Sequence, residues 1–292
     1  MGSKIIYHVV LKPLSYLPFS VLYVLSDMIF LLVFHLAAYR KKVVITNMSN
    51  SFPDKSEEEI EDLAKKFYRH FCDLVVESVK GFSISKRQLT KRMRIENPEM
   101  LQSYFEKGQD VILVGGHYNN WEWAGFATPL FIDHSTIGIY SPLTDPFFDK
   151  KMRSTRGKFG LTLCPMRQTK TFMEKDMGKP KAICFILDQT PSNVSRCHWM
   201  TFLNQDTPVF YGAERYAKLY DYPVLFMGIS KTKRGHYVGR LEPMFDQPNN
   251  EEKYVITEAI NRRIEQQIME KPEFWLWTHR RWKRKRPAQN EG

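Results

Sequence analysis

Between Lys12 and Arg40 the chain carries no lysine or arginine and only one acid, Asp27, and from Phe19 to Tyr39 it is almost continuously apolar. A run of about 20 apolar residues is long enough to span the hydrocarbon core of a bilayer. The stretch exceeds the roughly 7–15-residue apolar region of a cleavable signal peptide, and no small-residue cleavage pattern follows it. It is therefore expected to remain on the mature chain. Arg40, Lys41 and Lys42, directly after the run, would hold the following domain on the cytoplasmic side. Asp27 and His35 fit a spanning helix poorly, since a charge at its centre costs at least about 2.5 kcal/mol. Three placements stay open: a spanning helix, a helix lying in the membrane interface, and a hydrophobic helix packed on the domain. On any of them the chain divides at residue 40, with an anchoring segment over 1–40 and one domain over 41–292.

With 43% apolar residues in 292, intrinsic disorder is excluded and the length suits one large domain. The cysteines, at positions 72, 164, 184 and 197, form no Cys-x-x-Cys pair and read as reduced thiols. A net charge of +11 favours an anionic partner. From Ser56 the pattern turns helical, with Ser56 and Glu59 at capping-box spacing and Ile60, Leu63, Ala64, Phe67, Phe71, Leu74 and Val75 on one stripe. Short apolar runs follow at Val111–Val114, Ala182–Leu187 and Val224–Ile229, bounded by turn residues and separated by helical patterns. Late in the chain Ile256, Ile260, Ile264 and Ile268 recur every fourth residue in a helix ending near Lys271-Pro272. Buried apolar strands alternating with helices predict an α/β fold, a single αβα domain around a largely parallel or mixed sheet.

Open α/β sheets place ligands beyond the carboxyl ends of their strands. The first such place is Gly115-Gly116-His117-Tyr118-Asn119-Asn120-Trp121-Glu122. His117 would be exposed at a strand-to-helix junction, and Glu122, in the first turn of the helix, would accept a hydrogen bond from the imidazole. A carboxylate in that place fixes the tautomer and stabilises the imidazolium, which makes a general base. The competing reading has Asn119 as helix cap, Glu122 as its capping-box partner and His117 as a loop histidine. Other chemistries lack their usual signatures: there is no Gly-x-Ser-x-Gly elbow, no phosphate-binding P-loop, no dinucleotide fingerprint and no His-Glu-x-x-His helix. Cys197-His198 is too small a fragment for a metal site and reads as structural. No metal or organic cofactor is expected.

His117 to Glu122, as His-Tyr-Asn-Asn-Trp-Glu, resembles the His-x4-acid motif of glycerolipid acyltransferases in the form found in bacterial late lipid A acyltransferases. Ser141-Pro-Leu-Thr-Asp145 with Met152 to Gly160, Leu187-Asp188-Gln189, Thr207-Pro208 with Gly212, Tyr222-Pro223-Val224, and Trp277-Thr-His-Arg-Arg-Trp-Lys283 resemble that family's later blocks, in order and over nearly the whole chain. The resemblance implies a glycerolipid-acyltransferase-like fold and acyl transfer from acyl-acyl carrier protein to a hydroxyl of a lipid A precursor, at the cytoplasmic face of the bacterial inner membrane. The same motif also serves acyltransferases acting on a lysophospholipid, an aminolipid or a glycosylated phosphatidylinositol. His117 would deprotonate the acceptor while Glu122 orients the ring, with no acyl-enzyme. Backbone N–H groups at Gly115 and Gly116 would meet the oxyanion. Arg153 and Arg156 would grip acceptor phosphate, against the alternative of a solvated basic helix face. Asp188 would position a group at the site or simply cap a turn.

The C-terminal run His279 to Arg286 is basic and interleaved with tryptophan, a pattern that also suits nucleic acid. Beside a hydrophobic N-terminal segment, Trp275, Trp277 and Trp282 match a membrane interface better. The expected partners are therefore a membrane surface, the lipid acceptor and the acidic acyl carrier protein, not nucleic acid.

Overall fold

The computed structural model describes residues 2–287; Met1 and residues 288–292, the outer ends of the segments expected over 1–40 and 41–292, lie outside the described residues. An N-terminal helical segment ends at Tyr16, Pro18 interrupts the chain, and α1 (Phe19–Leu31) follows, continuing in wider turns to Leu36. Phe19–Leu36 is long and apolar enough to cross a membrane. Leu22, Ser26, Phe30 and Phe34, four residues apart, are its buried positions. Val21, Val24, Met28, Leu31, Leu32 and Leu36 are exposed.

The short helix α2 (Lys41–Ser51) leads into α3 (Glu57–Gly81), whose start carries the expected capping box: Ser56 Oγ accepts from Glu59 N at 3.2 Å and Glu59 Oε2 from Ser56 N at 2.8 Å. The anticipated stripe is buried from Ile60 to Leu74, except that Phe71 is half-buried and Val75 is exposed. The face turns instead through Asp73, Val76, Glu77 and Lys80, all buried. Polar residues in these positions are what hydropathy alone passes over, and their partners explain them. Ser26 Oγ donates to Asp73 Oδ1 at 2.8 Å and Tyr23 Oη to Glu77 Oε1 at 2.8 Å. Arg234 bridges both elements, donating from Nε to Asp73 at 2.9 Å and from Nη2 to Asp27 at 2.7 Å. Asp27, an anomaly in an apolar run, is one arm of an ion-pair network that fastens α1 to the domain.

The sheet contains β1 (Met93–Ile95), β2 (Val111–Gly115), β3 (Ser135–Tyr140), β4 (Thr162–Pro165) and β5 (Lys181–Ile186). After a separate antiparallel hairpin of β6 (Cys197–Phe202) and β7 (Gln205–Phe210), it is completed by β8 (Val224–Lys233) and β9 (His236–Phe245). The spatial order is β1-β9-β8-β2-β5-β3-β4, parallel throughout except between β8 and β9. The three apolar runs legible in the sequence are β5, β2 and β8, neighbours at the centre of the sheet and buried on both faces. Because side chains alternate along a strand, Ile112 and Val114 of β2 enter one core and Val111 and Leu113 the other. The first core includes Ile256, Ile260, Ile264 and Ile268 of α6 (Val255–Glu270), and the second Trp123, Phe126 and Ala127 of α4 (Trp121–Ala127). Helices thus cover both faces, as the α/β reading anticipates. Between β3 and β4 runs α5 (Pro146–Arg156), capped by Asp145 Oδ1, which accepts from Phe148 N at 2.9 Å.

Asp73 is the buried end of the α1 fastening, and its loss leaves Arg234 with the exposed Asp27 and the Tyr23 carbonyl. Asp73→Ala is expected to cost about 1.5–3 kcal/mol, because it removes the buried carboxylate that accepts from Ser26 and Arg234 and balances the part-buried Lys231. It should also raise hydrogen exchange in α1 selectively over β2 and β5; equal protection of α1 in both proteins would contradict the fastening.

Candidate active site

β2 and β5 are adjacent, parallel and in register, with Gly115 opposite Ile186. The residues two beyond this pair, His117 and Asp188, therefore leave the sheet side by side at its carboxyl edge. His117 Nδ1 lies 2.6 Å from Asp188 Oδ1, while Oδ2 accepts from the His117 backbone N–H at 2.7 Å and from Trp275 Nε1 at 2.6 Å. Asp188 is 2% exposed. Burial alone would push its carboxyl up, but the imidazole and the three donors outweigh that and hold it below the ordinary carboxylate value. The Nδ1 bond to a carboxylate makes Nδ1 the protonated nitrogen and leaves the Nε2 lone pair facing outward. There Gln189 Nε2 approaches to 3.2 Å, and the Trp121 ring stands edge-on at 5.1 Å between centroids.

The glycines before His117 make this approach sterically feasible. A Cβ on Gly116 would meet Asp188 Oδ2 at 3.1 Å, and one on Gly115 the Met227 carbonyl at 3.2 Å. Both glycines give clearance; of the motif's N–H groups, Gly115 lies in the β2–β5 ladder and that of His117 is taken by Asp188.

Glu122 is not the partner of the imidazole. Arg156 holds it through two bonds, Nε to Oε2 at 2.9 Å and Nη2 to Oε1. The chain between His117 and Glu122 explains the difference. Asn119 adopts a left-handed φ of 50° and anchors its amide on the Ile229 carbonyl at 2.8 Å, turning the backbone away before the helix begins. Asn120, not Asn119, is the cap, its Oδ1 accepting from Trp123 N at 2.8 Å. Glu122 consequently points toward α5, where a guanidinium offers a matched fork. Arg156 is committed to that pair, whereas Arg153, one turn earlier on the same helix, is exposed.

Behind the motif lies a buried carboxyl that sequence reasoning missed. Glu77 accepts from Asn120 Nδ2 at 2.6 Å, Tyr237 Oη at 2.8 Å and Tyr23 Oη at 2.8 Å. α1, β9 and the cap of α4 meet at this one group. Burial pushes its carboxyl up to about 7, against hydrogen bonds that favour the charged form. Nothing local in the sequence marks Glu77, which sits in a helical pattern among many acids.

The C-terminal tryptophans differ from expectation as well. Trp275 and Trp277 are 2% and 0% exposed and belong to the core, and Trp282 packs on Trp275 while donating to Thr207 Oγ1 at 2.7 Å. Aromatic and basic residues crowd here because the segment is a strap across the site. Asn119 N donates to Phe274 O at 2.9 Å, His279 Nε2 accepts from Thr190 N at 3.1 Å, and Thr190 Oγ1 donates to Arg281 O at 2.5 Å. Burial pulls the His279 imidazole down to about 4, so it is a neutral acceptor. Arg281 is fully buried, and burial lowers its guanidinium to about 10. His198 pairs with Glu258 at 2.7 Å, and among the described residues no group of three or more metal-ligating side chains forms.

The family model for bacterial lipid A biosynthesis acyltransferases matches residues 2–284. The chain belongs to this family. It is 22% identical over 270 residues to the lipid A biosynthesis lauroyltransferase of Escherichia coli strain K12, covering 91% of this chain and 87% of that one. It is also 22% identical over 253 residues to a lipid A biosynthesis acyltransferase of Haemophilus influenzae, covering 85% and 80%. This lipid A acyltransferase is accordingly a transferase; of its ordered motifs, His117 and Asp188 lie at the carboxyl edge of the sheet and Trp277 to Lys283 in the strap, whereas Tyr222-Pro223-Val224 leads into β8 at the opposite end.

The Glu77 network carries a pH signature. The native state keeps the Glu77 proton between the ordinary glutamate value of 4.5 and about 7, where the unfolded chain has released it. Stability from this group is therefore present below about pH 4.5 and lost as the pH rises toward 7. In urea unfolding across that window, Glu77→Gln should flatten the fall relative to wild type; parallel curves would contradict the burial argument.

Proposed function

We propose that this lipid A acyltransferase moves a fatty acyl chain from an acyl-acyl carrier protein thioester to a hydroxyl of a lipid A precursor, with His117 as general base and Asp188 as the carboxylate that orients it. The observation that carries this reading is the dyad at the sheet edge, with Nδ1 of His117 on Asp188 at 2.6 Å and Nε2 directed away from it. Nε2 takes the proton of the acceptor hydroxyl as its oxygen bonds to the thioester carbonyl carbon. The tetrahedral adduct then collapses with cleavage of the carbon–sulfur bond, and the departing thiolate takes the proton back from the imidazolium. Every proton and electron pair is accounted for without a protein nucleophile. Asp188 stays ionised beside the charged ring and offsets its cost.

Glu122 serves this chemistry at one remove, by fixing Arg156 and with it α5. Arg153, exposed on the same helix, is placed to meet the acceptor's phosphate. The oxyanion role expected of Gly115 and Gly116 narrows to the Gly116 N–H.

For the membrane, we favour an N-terminal arm that lies in the interface. Its polar face is tied to the domain through Tyr23, Ser26 and Asp27, and its bare apolar face is free to enter lipid. A helix bonded along its middle to a charged turn is badly suited to cross hydrocarbon. Such an arm would hold the site at the cytoplasmic face of the inner membrane, and the net charge of +11 would attract both anionic headgroups and the acidic carrier protein.

Purified protein incubated with acyl-acyl carrier protein and a tetra-acylated lipid A precursor should yield a lipid heavier by one acyl group. His117→Ala and Asp188→Asn should each lower kcat by about 10²–10⁴, the range typical of general-base catalysis. Wild-type rates in folded His117→Ala would exclude the base; product from a lysophospholipid alone would keep the mechanism and change the acceptor.

A further inference from the structure

We propose that Gln189 is a catalytic residue: its side-chain amide donates to the resting Nε2 lone pair of His117, is displaced by the acceptor hydroxyl, and then donates to the oxyanion of the tetrahedral adduct. The inference rests on His117 being the base.

The hydrogen-bond directions follow from Asp188. With the Nδ1 proton given to the carboxylate at 2.6 Å, Nε2 is an acceptor, and only a donor is tolerated 3.2 Å away. Gln189 must therefore present its NH2 group there, and the amide occupies the place where the acceptor hydroxyl has to bind. A general base needs its proton donor within about 2.6–3.2 Å, so hydroxyl and amide cannot both hold that position. The displaced amide remains next to the reaction, because its backbone cannot follow. Asp188 before it is held by three donors, and Thr190 after it is tied to His279 and Arg281. Gln189 itself is half-buried between these fixed neighbours, so the side chain alone moves. Once displaced, its N–H groups stay beside His117 Nε2 and can reach the carbonyl that the hydroxyl attacks. This supplies the oxyanion contact that the His117 N–H, bonded to Asp188, does not.

The titratable groups around the imidazole are Asp188 from the loop after β5, the Glu122–Arg156 pair from α4 and α5, and the neutral His279 and charged Arg281 from the strap. Gln189 is the uncharged member on the Nε2 side. A carboxylate in its place would favour the imidazolium and trap the base.

The test uses the full chain with acyl-acyl carrier protein and the tetra-acylated lipid A precursor, measuring kcat and KM separately across pH for wild type, Gln189→Leu, Gln189→Glu and His117→Ala. Gln189→Leu is expected to lower kcat by about 10²–10³, as for loss of an oxyanion donor, with KM changed less than threefold. Gln189→Glu should move the acid limb of kcat/KM up by about one pH unit or more, since an added neighbouring charge favours the protonated ring. A structural role moves neither limb, and thermal unfolding of each variant separates that case. If Gln189→Leu keeps kcat within threefold, or exceeds wild type because an occupant of the base was removed, the oxyanion role is overturned. If Gln189→Glu leaves the acid limb in place, the contact with Nε2 is overturned. Activity retained in His117→Ala would instead remove the base reading beneath it.

Discussion

The site depends on one buried carboxylate. Asp188 is almost inaccessible to water, and an ionised acid there is tolerable only if its lone pairs are satisfied. Three donors do this: the backbone N–H and the Nδ1–H of His117 and the indole of Trp275. The arrangement fixes the imidazole tautomer, explains why a side chain at Gly116 would crowd Asp188, and draws the C-terminal strap into the centre of the protein. The geometry of the His117–Asp188 pair and the fold are held by the same bonds.

Sheet register makes that carboxylate available. A histidine two residues beyond Gly115 and an aspartate two beyond Ile186 are neighbours because β2 and β5 run parallel and in step. The strap completes the enclosure from the far end of the chain, with His279 and Arg281 immobilising Thr190 and Trp277 filling the core beneath. On the opposite side, Glu77 collects Asn120, Tyr237 and Tyr23, so the loop that carries His117 is supported by the helix that faces the membrane in the proposed placement. The apolar N-terminal arm and the His117 loop share a hydrogen-bonded group.

Much of this architecture was legible in the residues. β2, β5 and β8 appear as apolar runs because central strands are buried on both faces, and Ile256 to Ile268 mark α6 because a helix on the sheet needs a continuous stripe. β9 alternates in burial and β1 is three residues long, so neither forms such a run. His117 was found from its position after a strand and two glycines. Spacing points to Glu122 as its partner because it suggests proximity along a helix and is blind to the left-handed turn at Asn119, after which Glu122 meets Arg156. Asp188, 71 residues away, becomes a neighbour only through the sheet. Trp275 and Trp277 misled for a related reason: aromatic and basic residues mark an interface and a folded strap alike, and only burial distinguishes them.

The central claim, that Asp188 and not Glu122 sets the state of the base, is tested most directly by nitrogen-15 NMR of the His117 ring in the resting protein. The account requires the proton on Nδ1 in wild type and in Glu122→Gln, and loss of that fixed tautomer in Asp188→Asn. A tautomer undisturbed in Asp188→Asn but lost in Glu122→Gln would contradict it.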